Sequence, residues 1–294
     1  MGALDGAGGI ETDGNETRRY VRAVSTQTDK ARTFLALHDP QRPLLMPNPW
    51  DAGSARLLAS LGFEALATTS SGFAATLGRL DGSVTRDEAL AHAAAIVAAT
   101  DVPVSADLEN AFAHDPAGVA ETIALAIDTG LAGGSVEDFT GDPEKPIYDI
   151  GVAAERVAAA AEAAHRGDVQ FVLTGRAENY LHGRRDLADT IARLQAYQEA
   201  GADALYAPGV NDADELRQLI SAVDRPVNVL ALPGTASVAE LGAMGVARIS
   251  VGGAFAFAAL GAVVEASREL REEGTYGFWT PAGAGAKAAH AAFR

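Results

Sequence analysis

The 294-residue sequence contains no cysteine. Disulfides, thiolate nucleophiles and cysteine-ligated zinc are therefore excluded. Positive charge is scarce: 23 Lys and Arg face 39 Asp and Glu, a formal net charge of −16. Such a surface repels phosphate backbones and anionic headgroups, so neither nucleic acid nor membrane is an expected partner. An anionic substrate must instead be held locally, by a metal, an arginine or backbone N–H groups. No apolar run is long enough to span a bilayer. The N-terminus lacks the basic-then-apolar pattern of a secretory signal, so the expected compartment is the cytoplasm. The six histidines, His38, His92, His114, His165, His182 and His290, do not cluster along the chain. That argues against a His-centred catalytic triad.

What is present is an ordinary globular composition, 48% hydrophobic and 21% charged, which allows one large core. Residues 1–30 are rich in Gly, Thr and Asp without apolar periodicity and read as a disordered extension, leaving 31–294 as one domain. Short β-rich runs follow at 44–47, 65–69, 102–106, 134–136, 169–173, 204–206, 227–230 and 247–251. Helical stretches such as 89–99, 119–129, 152–164, 187–200 and 213–223 separate them. Gly62, Gly130, Gly201 and Gly245 stand where a left-handed residue would end a helix. Eight strands alternating with helices predict a parallel sheet closed into a single (β/α)8 TIM-type barrel. A doubly wound open sheet would carry a glycine-rich phosphate loop after its first strand. Here that place holds Asn48-Pro49-Trp50-Asp51.

In such a barrel the active site forms at the C-terminal ends of the strands. Those ends carry Asn48, Trp50 and Asp51, then Ser70, Ser71 and Gly72, then Asp107, Glu109 and Asn110. Glu137 and Asp138, Arg176, Glu178 and Asn179, Asn228 and Ser250 follow on later strands. A single strand-end carboxylate is usually a loop or cap residue. Several around one mouth repel one another unless they share a cation. Oxygen ligands without His or Cys suit Mg²⁺ or Mn²⁺ rather than zinc, with Asp107 as the closest expected protein ligand. Arg176 could clamp a substrate carboxylate with two parallel hydrogen bonds, or pair with a carboxylate of the mouth.

These motifs together resemble the isocitrate lyase / phosphoenolpyruvate mutase superfamily over about residues 33–270. Residues 67–73, Ala-Thr-Thr-Ser-Ser-Gly-Phe, resemble its substrate-binding Ser-Gly loop, and 77–81, Leu-Gly-Arg-Leu-Asp, the loop that adds an acidic residue. Residues 105–109, Ser-Ala-Asp-Leu-Glu, resemble its metal segment, and 135–138, Ser-Val-Glu-Asp, its Glu-Asp pair. Residues 174–178, Thr-Gly-Arg-Ala-Glu, resemble its arginine segment.

The resemblance implies Mg²⁺ or Mn²⁺ at Asp107, Glu109 and Glu137. It implies substrate contacts from Trp50, Ser70, Ser71, Gly72, Phe73, Arg176 and Asn228, and catalytic roles for Arg176, Glu137, Asp81 and Tyr148. The implied function is a carbon–carbon lyase that cleaves or decarboxylates a small α-keto or 2-hydroxy carboxylate through a metal-stabilised enolate. The alternatives are phosphonopyruvate-type C–P chemistry and a barrel that binds a keto acid without turnover. The resemblance also implies a homodimer or homotetramer with a swapped C-terminal helix.

Three departures narrow this. The Lys-Lys-Cys-Gly-His gating motif of the isocitrate lyases is missing from residues 138–149, so isocitrate cleavage is not expected. Phe139 stands where the mutases tend to carry Lys, which argues against phosphonate chemistry. Glu109-Asn110-Ala111-Phe112 replaces the more usual Asp-Thr-Gly-Tyr. The proton normally given by the lyase cysteine would come from water, from Glu137 or Glu178, or from Tyr148 on a loop (139–149) that closes over the substrate.

Overall fold

The computed structural model describes residues 25–294. Eight short parallel strands form its centre: β1 Leu44–Met46, β2 Leu66–Ala67, β3 Val104–Asp107, β4 Gly133–Glu137, β5 Val172–Arg176, β6 Ala204–Tyr206, β7 Val227–Leu230 and β8 Arg248–Ser250. Hydrogen-bonded neighbours run β1-β8-β7-β6-β5-β4-β3-β2, so the sheet curls until its two ends meet. There the Ala67 N–H donates to the Pro47 carbonyl (3.1 Å) and closes the seam. The fold is the expected (β/α)8 barrel.

Helix α1 is Gln27–Ala36, followed through the barrel by α2 Ala52–Ser60, α3 Ser70–Thr76, α4 Arg86–Ala99, α5 Pro116–Asp128, α6 Ile150–His165, α7 Leu187–Glu199, α8 Ala213–Ser221 and α9 Val238–Ala243. After β8 come α10 Ala254–Arg268 and α11 Trp279–Ala292. Local chemistry sets many starts. Asp51, Thr69, Thr85, Asp115, Asp186, Asp212 and Ser237 each accept a hydrogen bond from a backbone N–H of the first turn. Asp51, one of the strand-end carboxylates, is thus a helix cap. Residues 70–73, expected as a loop, form the first turn of α3. Residues 27–30, placed by sequence in the N-terminal extension, are helical because Thr26 and Asp29 form a capping box. The rest of that extension, residues 1–24, lies outside the described residues.

The bottom of the barrel is plugged from below. Phe34 of α1 is fully buried among Leu44, Ala65, Ala67, Ala132 and Val172. Small residues make this possible: a Cβ on Gly133 would stand 2.8 Å from the Phe34 ring and 2.6 Å from the Val172 carbonyl. The larger core lies between strands and helices and holds Leu66, Ile96, Ile123, Leu173, Leu194, Tyr197 and Leu205.

The C-terminal helices follow a different pattern. Only Ala256 of α10 is buried and none of α11. Phe255, Phe257, Leu260, Val263 and Val264 are exposed along α10. Leu45, on the central strand β1, is 39% exposed, so its apolar side chain lacks the helix cover that the other strands have. No described helix is long and apolar enough to cross a membrane.

Candidate active site

The cavity at the C-terminal end of the strands holds about 200 Å³. Its lining includes Asn48, Ser70, Ser71, Asp81, Asp107 and Arg176, with Tyr206, Asn228 and Arg248 on the far wall. Arg176 organises the carboxylates. Its Nη1 is 3.4 Å from Asp107 Oδ1 and 3.2 Å from Glu137 Oε2, and its Nε donates to Glu178 Oε1 at 2.5 Å. Its guanidinium lies 5.1 Å from the centre of the Tyr206 ring. Burial works against its charge, but Glu178, Glu137 and Asp107 outweigh burial and hold its pKa above the ordinary value.

Strand geometry puts these groups together. Asp107, Glu137 and Arg176 are the last residues of β3, β4 and β5, and Glu137 pairs in register with Arg176. Ser70, at the first position of α3, donates from Oγ (3.1 Å) and N (3.4 Å) to Asp107 Oδ2. Burial and the neighbouring Asp107 raise the pKa of Glu109 to about 7. Burial pushes Asp81 and Glu137 up as well. Too much negative charge has been gathered for one arginine to balance.

The expected metal set of Asp107, Glu109 and Glu137 is not gathered into one cage. Among the described residues no three carboxylate or imidazole groups stand close enough to enclose an ion by themselves. Arg176 sits between Asp107 and Glu137, and Glu109 lines a smaller adjoining pocket with Asp107, Thr68 and His92. Glu109 also has a left-handed backbone (φ 50°), as do Ala111 and Phe112. The donor set still fits Mg²⁺, which keeps several waters and uses only one or two protein carboxylates. Asp107 would hold such an ion, with Asp81, Glu109 and Glu137 as the neighbouring carboxylates.

Other expectations divide. Ser70, Ser71, Asp81 and Asn228 line the cavity. Trp50 does not: with Gly72, Ala256 and Leu260 it lines an apolar pocket between α3 and α10. Phe73 stacks on His92 with ring centres 3.9 Å apart, away from the cavity. A Cβ on Gly72 would meet Trp50 and Ala256 at 3.3 Å, so that glycine serves close packing. Tyr148 is also misplaced by the sequence reading. Its hydroxyl is 2.5 Å from His114 Nδ1 and its ring lies 4.3 Å from the Arg156 guanidinium, so it does not reach the cavity. The 139–149 loop is a small hairpin, bridged between Phe139 and Ile147.

Supporting roles were not foreseen, including that of Asp138, which the sequence places among the strand-end carboxylates of the mouth. Arg156, buried in α6, donates to the carbonyls of Glu137 (3.1 Å), Ala113 (2.8 Å) and Asn110, and so fixes the left-handed 109–112 turn. Asp138 is buried and accepts from Arg193 Nη1 (2.9 Å), Tyr197 Oη (2.5 Å) and the Glu178 N–H (2.7 Å). His182 Nε2 is 3.5 Å from Glu178 Oε2 and its ring stacks on Phe139 at 4.0 Å.

The site is thus a parallel barrel whose strand-end Asp107 and Arg176 line one small cavity, with Glu137 and Glu178 set against Arg176 outside that lining. The chain belongs to the isocitrate lyase / phosphoenolpyruvate mutase superfamily: residues 34–271 match the phosphoenolpyruvate phosphomutase family model. It is 30% identical to 2-methylisocitrate lyase of Escherichia coli (strain K12), over 72% of this chain and 71% of that protein. It is 29% identical to an oxaloacetate decarboxylase of Chromohalobacter salexigens (85% and 88% covered). A solved candidate lyase/mutase from Burkholderia cenocepacia J2315 is 55% identical and superposes with a TM-score of 0.84, over 86% of this chain and 91% of that one.

Proposed function

We propose that this barrel cleaves or decarboxylates a carbon–carbon bond in a compact α-keto or 2-hydroxy acid, with Mg²⁺ or Mn²⁺ at Asp107. The observation that carries the reading is the convergence of Asp107, Glu137 and Glu178 on one arginine, Arg176, which lines the cavity with Asp107. A volume of about 200 Å³ is below the roughly 300–1,000 Å³ of pockets for larger ligands, so the acid is small. When bound, the divalent ion supplies positive charge for the substrate oxygens beside the carboxylates.

The protein's own groups divide the remaining work. Arg176 is fixed by its three carboxylates and presents its charge to a substrate carboxylate without reorganisation. Ser70 and Ser71 offer hydroxyls and the N–H groups of the first turn of α3. Breaking the bond in a 2-hydroxy acid takes the hydroxyl proton away and returns one to the carbon that keeps the electron pair. Glu178 is held by both Arg176 and His182, whereas Glu137 meets Arg176 through one oxygen at 3.2 Å and burial raises its pKa, so of the two Glu137 is the better carrier of that proton. Tyr148 is too far away to serve.

The test is a panel of oxaloacetate, substituted malates, methylisocitrate and isocitrate at saturating Mg²⁺, followed by release of pyruvate, glyoxylate, oxalate or CO₂. Turnover of the four- to six-carbon keto and 2-hydroxy acids is expected, with isocitrate poor. Turnover confined to phosphonates would overturn the reading.

Bare apolar surfaces support a reading of the assembly as well. We propose a homo-oligomer in which α10 of one copy covers the β1 face of another. Exposed Leu45 and the Phe255, Phe257, Leu260 and Val263 row support it. Light scattering at micromolar concentration should give a dimer or tetramer, and truncation before α10 should give soluble monomer or aggregate. A monomeric full chain would refute the arrangement.

A further inference from the structure

Deep in the same cavity lies a second arginine. Arg248, the first residue of β8, is 3% exposed and points into the barrel below the level of Arg176. Its Nε donates to Asn228 Oδ1 (2.9 Å), its Nη1 to His38 Nε2 (3.0 Å) and its Nη2 to Thr174 Oγ1 (3.0 Å). All three acceptors are neutral. His38 keeps its proton on Nδ1, which donates to the Phe34 carbonyl (2.8 Å). Burial and Arg248 itself depress the His38 pKa to about 3, so the ring carries no charge at neutral pH. Burial lowers Arg248 only to about 10, so the guanidinium stays charged.

Among the described residues no carboxylate pairs with Arg248. Arg176 and Arg193 are buried with carboxylate partners, and the buried Arg156 rests on three backbone carbonyls outside the cavity. A guanidinium has five N–H donors. Three are used here, which leaves two without an acceptor. A buried, unpaired charge is costly and persists only where something repays it. The space to do so exists. A barrel interior is normally filled by bulky branched side chains, but here Ala67, Ser105 and Ser135 line the same cavity as Arg248.

We infer that Arg248 is the floor of an anion site that takes a carboxylate group, with its neighbours Asn228 and Thr174 holding the guanidinium in place. The preferred source is the second carboxylate of an acid whose first end is held at Ser70, Asp107 and Arg176. This deepens the function proposed above and rests on it for the identity of the acid. A free small carboxylate is the other source of the same chemistry.

The test measures binding rather than turnover. Malonate, which has two carboxylates and no 2-hydroxyl group, and acetate are titrated by calorimetry into the full-length Mg²⁺-loaded protein, and into Arg248→Met, Arg248→Lys and Ser135→Leu variants. The Met variant is expected to weaken malonate by about 10- to 100-fold, the range of a charge-assisted contact, while acetate at the mouth changes little. Lys should be intermediate. Ser135→Leu, which leaves Arg248 intact but fills the passage, should lose malonate affinity too, and it decides the matter if Arg248→Met does not fold. Acetate binding that depends on Arg248 as strongly as malonate binding assigns the site to a free carboxylate. Equal malonate affinity in wild type, Arg248→Met and Ser135→Leu would overturn the inference and make Arg248 a pillar for Asn228, His38 and Thr174. Turnover of the acid panel with malonate binding indifferent to Arg248 would sink the floor alone. Malonate binding that needs Arg248, with no acid turned over, would sink the reaction alone.

Discussion

Arg176→Met is expected to lower turnover by about 10³-fold, at the upper end of what removing one preorganised charge does in an active site. The variant keeps much of the side chain's volume but removes the only cation among the described residues that touches Asp107, Glu137 and Glu178 together. Three nearly buried carboxylates are then left facing one another. Breaking a buried pair from one side costs about 3–5 kcal/mol, so the variant should also melt earlier in metal-free buffer. Added Mg²⁺ should restore part of that stability, because a divalent ion can replace the missing charge, but not the turnover. Steady-state rates and thermal melts with and without Mg²⁺ check both halves. A variant within tenfold of wild type in kcat would show that Arg176 is a structural ion-pair partner only.

The second large effect is on the fold. Asp138→Ala should destabilise the protein by about 3 kcal/mol or more, because it leaves several buried donors short of an acceptor at about 1–3 kcal/mol each, although Arg193 keeps Asp189 at 2.8 Å. Arg193 is 3% exposed and Asp138 2%, so water cannot replace the carboxylate. The Tyr197 hydroxyl and the Glu178 N–H lose their acceptor at the same time. Because that N–H fixes the backbone beside Glu178, kcat should fall as well, although Asp138 touches no part of the cavity. Urea unfolding gives the stability change, and a loss below about 1 kcal/mol, the net value of an ordinary hydrogen bond, would contradict this account of the network.

Much of the barrel was legible because its outer faces obey simple rules: apolar runs make strands, Ala-rich stretches make helices and glycines end them. The strand ends were read less well, and for one reason. Runs expected at 102–106, 134–136 and 169–173 are observed at Val104–Asp107, Gly133–Glu137 and Val172–Arg176. Each observed strand extends further toward its C-terminus, because the polar residues that line the cavity belong to the strand itself and point into the barrel. A rule that ends strands where hydrophobicity ends stops short of the site.

The supports were hidden differently. Arg156 and Arg193 each lie on the buried stripe of their helix, Arg156 with Ala153, Val157 and Ala160, and Arg193 with Thr190, Leu194 and Tyr197. A charged residue at that spacing was a visible signal. Its partners, the carbonyls of the 109–113 turn and Asp138, are not given by spacing along the chain. The same holds for Arg248 with His38, 210 residues apart. Trp50, Phe73 and Tyr148 were assigned from resemblance to segments, and each side chain is instead held by a local neighbour: α10, His92 and His114.

The account as a whole turns on the divalent ion at Asp107. The most direct measurement is turnover of the best acid in the panel after EDTA treatment and gel filtration, followed by titration with Mg²⁺, for wild type and Asp107→Ala. The wild type is predicted to be inactive without metal, to recover along a saturable Mg²⁺ curve, and to owe that curve to Asp107, so that the variant recovers little at any concentration. Full activity of the metal-free wild type, or an Asp107→Ala variant that responds to Mg²⁺ as wild type does, would contradict it.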